Sequence, residues 1–293
     1  MTGTMKKILL FSLPLLIGAC TPVVNPFPQE ASLYSLSTGQ ELSGPKAARE
    51  AAVYGTVETQ LFDSPQAISF VRLKASHYQL EVVNAPGQQA DSTSALCLKH
   101  GAIAGINGSY FDMGKLTPIT YVKDDGFEVG QTTSGEVFRT NGAILLDMDG
   151  FAIDATEADT TWTGGESWRE VMASGPILLD EGEVIDYEEG IPGWKGFYAS
   201  RHPRSLIGTD AAGYVWLVVV DGRFKGKATG MTIAELTQLA QILGLTDALN
   251  LDGGGSSTLW TLPAGVLNHP CDNAAFDPEG QRIVPNAIIV KPL

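Results

Sequence analysis

Between residues 214 and 251 the hydrophobic period of the chain changes twice, and few folds accommodate such a change. Residues 214–220 read Tyr-Val-Trp-Leu-Val-Val-Val, a continuous apolar run of the kind found in strands buried on both faces. Thr232 with Glu235 three residues later forms a capping box. Ile233, Leu236, Leu239, Ala240 and Leu243 then recur every three or four residues, which is one face of a helix. Gly244 ends it as a C-terminal cap, and residues 248–251 are apolar again. The reading is a β–α–β unit, whose crossover usually makes its two strands parallel.

Upstream the text is dominated by short β-type segments. Residues 67–75 and 78–84, separated by a short polar break, predict a hairpin. Three more hairpins are expected: 142–148 with 151–154 through Asp149-Gly150, 176–179 with 184–187 through Asp180-Glu181-Gly182, and 205–209 with 214–220 through residues 210–213. Residues 92–100 predict a helix capped by Asp91 or Ser92, and residues 101–107 a buried strand. Hairpins plus one crossover near the C-terminus predict an α+β class with a mixed, largely antiparallel β-sheet.

The ends and the charge constrain the setting. Lys6 and Lys7, an apolar run from 8 to 17, and then Gly18-Ala19-Cys20 form a secretory signal. Ile17-Gly18-Ala19-Cys20 resembles the bacterial lipoprotein cleavage box, which implies lipidation of Cys20 and a membrane anchor. Thr21 after that cysteine favours, by the same resemblance, the outer membrane and the periplasmic side of the envelope. The domain reading is therefore 1–19 signal peptide, 20–52 Pro-rich tether, and 53–293 folded domain. Of the 3 cysteines, Cys97 and Cys271 then remain, and an oxidising compartment allows a disulfide between them; two free thiols are the alternative. Lys and Arg number 19 against 33 Asp and Glu, a net charge of -14, which argues against nucleic acid as a partner. Nothing in the text bears on oligomeric state.

Chemistry concentrates after the two apolar strands of the crossover. One runs into Asp221-Gly222-Arg223, the other into Asp252-Gly253-Gly254-Gly255-Ser256-Ser257. Parallel, adjacent strands would put Asp221 and Asp252 at one carboxyl edge, where ligands bind in open α/β sheets. Consecutive glycines allow close backbone approach and can present N–H groups to an anion. The loop fits neither the Walker nor the dinucleotide pattern, and it lacks the last glycine of a nucleophile elbow. Asn107 to Asp112 follows a buried strand and offers an amide, the Tyr110 ring and a carboxylate, which suit a sugar. Arg201-His202-Pro203-Arg204 suits a phosphate or carboxylate, and His269 and Arg282 follow late in the chain.

Taken in order, Asn107-Gly108-Ser109-Tyr110-Phe111, Ser174-Gly175-Pro176, Pro203-Arg204-Ser205, Asp221-Gly222-Arg223, Asn250-Leu251-Asp252-Gly253-Gly254-Gly255-Ser256-Ser257-Thr258 and Arg282-x-Val284-Pro285-Asn286 resemble the phosphodiester glycosidase family. The resemblance runs from about residue 53 to the C-terminus and departs at Ser109 and at Ser205-Leu206, neither of them a charged position. It implies hydrolysis of a sugar-1-phosphodiester, N-acetylglucosamine-like or related, that releases free sugar. On that reading Asp252, then Asp221, supply the carboxylate chemistry. Arg204, Arg223 and the loop N–H groups of Gly253, Gly254, Gly255, Ser256 and Ser257 hold the phosphate. Asn107, Tyr110, His202, His269 and Arg282 contact the rest of the substrate. No cofactor is required; oxygens of Asp221, Asp252 and Asn107 would suit a divalent cation. Two other classes fit the same residues: a metal-dependent phosphodiesterase cutting the phosphate side, and a non-catalytic glycan-binding envelope lipoprotein.

Overall fold

The structure, a computed structural model, describes residues 40–41 and 52–293 apart from 86–88, 148–149, 157–166 and 188. The expected signal peptide with Cys20, nearly all of the expected 20–52 tether and part of the Asp149-Gly150 turn lie outside the described residues.

The main elements in chain order are β1 (Ala52–Leu61), β2 (Ser64–Lys74), β3 (Tyr78–Asn84), α1 (Thr93–Lys99), β4 (Ala104–Asn107), β5 (Val122–Asp124), β6 (Gly142–Asp147), β7 (Gly150–Ala155) and β8 (Glu170–Ser174). They continue with β9 (Ile177–Asp180), β10 (Arg204–Asp210), β11 (Tyr214–Val220), α2 (Ile233–Ile242), β12 (Leu245–Asn250), β13 (Leu259–Thr261) and β14 (Asn286–Pro292). The largest sheet has 8 strands, with β1–β2–β11–β10–β12–β9 between short edge strands. Two sheets of 5 strands each carry β5–β8–β6–β7 and β13–β4–β14–β3.

The apolar run of β11 explains the layering. Val215, Leu217 and Val219 join one core cluster with Ile106, Ile144 and Ile288 of the smaller sheets. Trp216, Val218 and Val220 point the other way, into a cluster with Leu236, Leu239 and Ala240 of α2. Successive side chains of a strand leave opposite faces, so a fully apolar strand requires both faces to be covered. Each such side chain contributes about 1.5–3 kcal/mol on leaving water. The expected capping box starts α2: Glu235 N–H donates to Thr232 Oγ1 at 3.1 Å and Thr232 N–H to the Glu235 carboxylate at 2.9 Å. Ser92 caps α1, accepting from Ala95 N–H at 3.2 Å.

The structure changes three expectations. The sheets are antiparallel in every pairing among the described residues. β11 and β12 do run in the same direction, but β10 lies between them and pairs antiparallel with both, so the crossover does not join neighbouring strands. Residues 67–75 and 78–84 do not form a hairpin. A 3-10 turn, Ala75–His77, carries the chain from β2 in the large sheet to β3, which pairs with β14. Cys97 and Cys271 are free thiols rather than a disulfide. They sit in different apolar clusters, Cys97 with Leu96 and Trp260, Cys271 against Phe224 and Phe276. Burial pushes the Cys97 thiol up to about 12, which makes it unreactive.

Candidate active site

One edge of the large sheet gathers the polar text. Arg204 opens β10 opposite Val220, the last residue of β11, and Leu206 pairs with Asn250, the last residue of β12. Interposing β10 therefore still delivers Asp221, Arg204 and Asp252 to the same edge, with the arginine in the middle. A cleft of about 190 Å³ opens there, lined by residues that include Arg139, Arg204, Arg223, Arg282, Tyr110 and Asp252. Gly196, Phe197, His202 and the three loop glycines complete its wall.

The charge balance of the cleft runs against that of the chain. Asp252 is the one carboxylate among its lining residues, against four arginines. Arg139 is answered by Glu136 at 2.6 Å, and Arg282 by a bidentate pair with Asp272 at 2.7 and 2.9 Å. Arg204 and Arg223 have no carboxylate within ion-pair distance among the described residues. Arg204 is 2% exposed, and its guanidinium donates to the carbonyls of Met231 (2.9 Å), Phe197 (2.6 Å) and Ser200 (3.1 Å). Burial pulls its pKa down to about 10, as expected for a cation held out of water without a counter-ion. Such a charge is costly until an anion arrives. Burial likewise lowers the pKa of His202, whose Nε2 meets the Gly196 carbonyl at 2.8 Å.

Asp252 occupies the opposite electrostatic role. Burial raises its carboxyl to about 6, opposed by the Ser256 side chain, Arg139, Arg282 and the Gly253 N–H. Its backbone is held tightly: Asn107 Nδ2 donates to the Asp252 carbonyl at 2.7 Å, and Asp252 N–H donates to Gly108 O at 3.3 Å. Asn107 Oδ1 in turn accepts from Ser205 Oγ at 2.8 Å and Thr258 N–H at 3.2 Å. Asn107 is fully buried and so aims Asp252 rather than facing a substrate.

Several predicted residues fall one layer behind the cleft. Asp221 is 1% exposed, and its oxygens accept from Asn268 Nδ2 (3.1 Å) and His269 N–H (2.9 Å), with His269 Nδ1 at 2.7 Å. His269 stacks on Phe276 with 3.7 Å between ring centres. These two residues brace the loop beside the cleft and are absent from its wall. The Tyr110 hydroxyl is committed inward, donating to Gly175 O at 2.7 Å and accepting from Asn250 Nδ2 at 2.9 Å. What Tyr110 offers the cleft is its ring, under the Arg139 guanidinium at 3.9 Å. The glycines are needed by the protein itself. A Cβ on Gly255 would lie 1.9 Å from Asp272 Oδ1 and 2.1 Å from Arg282 Nη2, and Gly254 has φ +64° against Arg223. Gly254, Ser256 and Ser257 spend their N–H groups on Pro203, Gly253 and Gly254 carbonyls, so the triplet shapes the wall more than it cradles an anion. Ser256 and Ser257 are buried beneath it.

A cation held jointly by Asp221, Asp252 and Asn107 does not fit, because the side-chain oxygens of Asp221 and Asn107 are already accepting hydrogen bonds elsewhere. Among the described residues no group of three or more His, Cys, Asp or Glu is arranged to hold a metal. Two cleft residues carry no sequence signal at all: Arg139 ends the 3-10 turn Val137–Arg139, and Phe197 belongs to the turn Trp194–Tyr198. Neither stands in a motif, and only the folded chain brings them to Asp252.

Fold and cleft together define an antiparallel β protein with an arginine-walled cleft at a strand-end edge. The chain belongs to the phosphodiester glycosidase family, whose model matches residues 100–291. It is 24% identical over 177 residues to mouse N-acetylglucosamine-1-phosphodiester alpha-N-acetylglucosaminidase, a match covering 57% of this chain. The match covers 33% of that protein, so the chain spans about a third of its length. The fold resembles the catalytic domain of the zebrafish enzyme of that name, with TM-score 0.64, 17% identity and 86% of each chain covered. It also resembles a Synechocystis protein, with TM-score 0.58, 16% identity, and 82% of this chain and 62% of that one covered.

Proposed function

We propose that the protein hydrolyses a sugar-1-phosphodiester on the glycosidic side, releasing free sugar and a phosphomonoester. The observation that carries this reading is the pair of unneutralised guanidiniums, Arg204 and Arg223, facing one carboxylate in a cleft walled by arginine. A phosphodiester brings the missing negative charge, and arginine matches its oxygens with paired donors. The relatives' names supply an N-acetylglucosamine-like sugar as the first candidate.

The chemistry follows from the leaving group. Phosphate departs readily, so protonation by an acid matters less than in ordinary glycosides; the need is to face positive charge at the anomeric carbon and to activate water. Asp252 serves both. Its ionised oxygen stabilises the developing charge and takes the proton of the attacking water. The bond from the anomeric carbon to oxygen breaks, and its electron pair passes to the phosphate held by Arg204, Arg223 and Arg282. Phe197 presents ring surface to the sugar, while the buried Tyr110 ring backs the Arg139 guanidinium. Division of acid and base roles between two carboxylates is not part of this reading, because Asp221 is engaged with His269.

The same proposal puts the reaction at the periplasmic side of the envelope on a lipid-anchored chain, a reading supported by the signal-like N-terminal segment and the Cys20 box. The test is turnover of an N-acetylglucosamine-1-phosphodiester by the full-length chain in detergent, with and without EDTA, products being weighed by mass spectrometry. Free sugar plus phosphomonoester, lost in Asp252→Asn, is the expected outcome. Sugar-1-phosphate would replace the reading with a phosphodiesterase, and EDTA sensitivity would add a metal. Binding without turnover in both forms would leave a glycan-binding protein.

A further inference from the structure

The cleft does not end at its own rim. Gly196, in its wall, also lines a neighbouring depression of about 540 Å³. Trp194 lines that depression and a third one of about 500 Å³, which reaches the exposed face of α2. One turn of chain, Trp194–Tyr198, is thus the common wall of a path leading away from Asp252. Each of the outer depressions falls in the range, about 300–1,000 Å³, of pockets that enclose small organic ligands.

The chemistry of the path changes along its length. The inner cleft is lined by four arginines; among the described lining residues the outer depressions have none, and their charged groups are Glu189, Lys195 and Asp186. An extended polyanion would find no row of cations there. What the outermost depression offers is aromatic surface from the half-buried Trp194 and Tyr187 beside two glutamines, Gln238 and Gln241, three residues apart on α2. Tyr198 is buried behind these rings, stacked on Trp194 with 5.5 Å between ring centres and donating its hydroxyl to Phe138 O at 2.8 Å, so it backs the aromatic wall. Both glutamine side chains are exposed, and neither amide has a hydrogen-bond partner among the described residues. Aromatic faces next to free amides match an uncharged sugar ring bearing an acetamido group, which both donates and accepts.

We propose that this path is an extension groove that binds a neutral N-acetylhexosamine chain joined to the phosphodiester, so that the substrate is a glycan of several units with one anionic linkage at the arginines. The proposal rests on the reading of the cleft given above, and it can fail separately from it. Chitotriose, which carries no phosphate, is titrated into the full-length chain by calorimetry. Binding is expected, weakened about tenfold or more in Gln238→Ala/Gln241→Ala, the weight of one or two lost hydrogen bonds, and weakened similarly in Trp194→Ala. The glutamine pair is solvent-facing on a helix, where alanine is favourable, so that variant tests the groove even if Trp194→Ala does not fold. No binding, as expected if the groove serves a protein segment or a lipid, overturns the proposal. So does binding that the glutamine pair leaves unchanged. Turnover of a short sugar-1-phosphodiester with no chitotriose binding removes the groove and keeps the hydrolase. Chitotriose binding that depends on the glutamines, without turnover of any diester, keeps the groove and removes the hydrolase.

Discussion

The carboxyl of Asp252 is set by influences that pull in opposite directions. Burial raises its carboxyl to about 6, while Ser256, Arg139 and Arg282 favour the charged form. Because the proposed chemistry needs the ionised carboxylate, kcat/KM should fall as pH drops through about 6. Arg139→Met removes one of the cations that favour ionisation, so the midpoint of that acid limb should move to higher pH. A pH profile of kcat/KM on both proteins checks this, and an unmoved midpoint would mean that another group controls the limb. At this scale the sequence displays its charged residues well and their direction poorly. Asp252, Arg204, Arg223 and Arg282 stand beside glycine or proline text that marks strand ends, and all four line the cleft. Asn107, Asp221 and His269 stand in equally suggestive text, yet their hydrogen bonds turn them into braces. Which way a polar side chain turns at a strand end is decided by partners far away in sequence, and Arg139 is visible only through such a partner.

Elements were legible where their period was strong and their turns short. The hairpins at β6–β7 and β10–β11, the capped helix α2 and the strand β12 follow directly from apolar runs bounded by turn residues. Strand order was not legible, since apolar text records that a strand has two covered faces and not which strand lies beside it. The antiparallel insertion of β10 between β11 and β12 is the clearest instance. A device of the same scale joins two sheets. β3 is an edge strand, and the carboxylate of Glu170 on β8 accepts its Val82 N–H at 2.6 Å, closing an edge donor that the ladder leaves open. Burial raises Glu170 from 4.5 to about 7, and Asp124 and Glu81 add to the rise, against Val82 N–H and Arg169. A carboxyl raised in the folded state binds its proton more tightly there than in the unfolded chain. Its contribution is therefore complete below the ordinary value of 4.5 and is lost as pH rises through about 7. Glu170→Gln keeps the acceptor and drops the charge. It should stabilise the protein by about 3 kcal/mol at pH 8 and by only about 1 kcal/mol at pH 5, since each tenfold difference in proton affinity is worth about 1.4 kcal/mol. Paired thermal or denaturant melts at the two pH values read this out; equal stability at pH 8 would show that the buried carboxyl is not the controlling group.

On the scale of the whole molecule, the series of motifs from Asn107 to Asn286 was readable because each one sits at a strand end, and strand ends converge whatever the strand order. The three-layer arrangement that brings them together was not, since it depends on the smaller sheets packing on one face of the large one and α2 on the other. The same scale sets a conflict of charge. The chain carries -14 overall, yet four of its eight arginines line the one cleft proposed to take an anion. Far from the surface the substrate meets the net negative field; within a few ångströms it meets guanidinium. Salt weakens the first more than the second, because screening acts over a Debye length of about 30 Å at 0.01 M and about 8 Å at 0.15 M, whereas contact pairs in a partly buried cleft are screened least. Raising NaCl across that range should therefore leave kcat/KM for a phosphodiester unchanged or raise it up to a few-fold, the reverse of the fall expected when a basic surface steers an anion. Inorganic phosphate, which can enter the cleft, should at constant ionic strength inhibit competitively, and Arg223→Ala should weaken that inhibition. Initial rates at fixed pH with NaCl, and then with phosphate replacing it, separate the two effects. A steep loss of kcat/KM with NaCl alone would mean that the cleft projects its positive field beyond the acidic surface and that capture begins at long range.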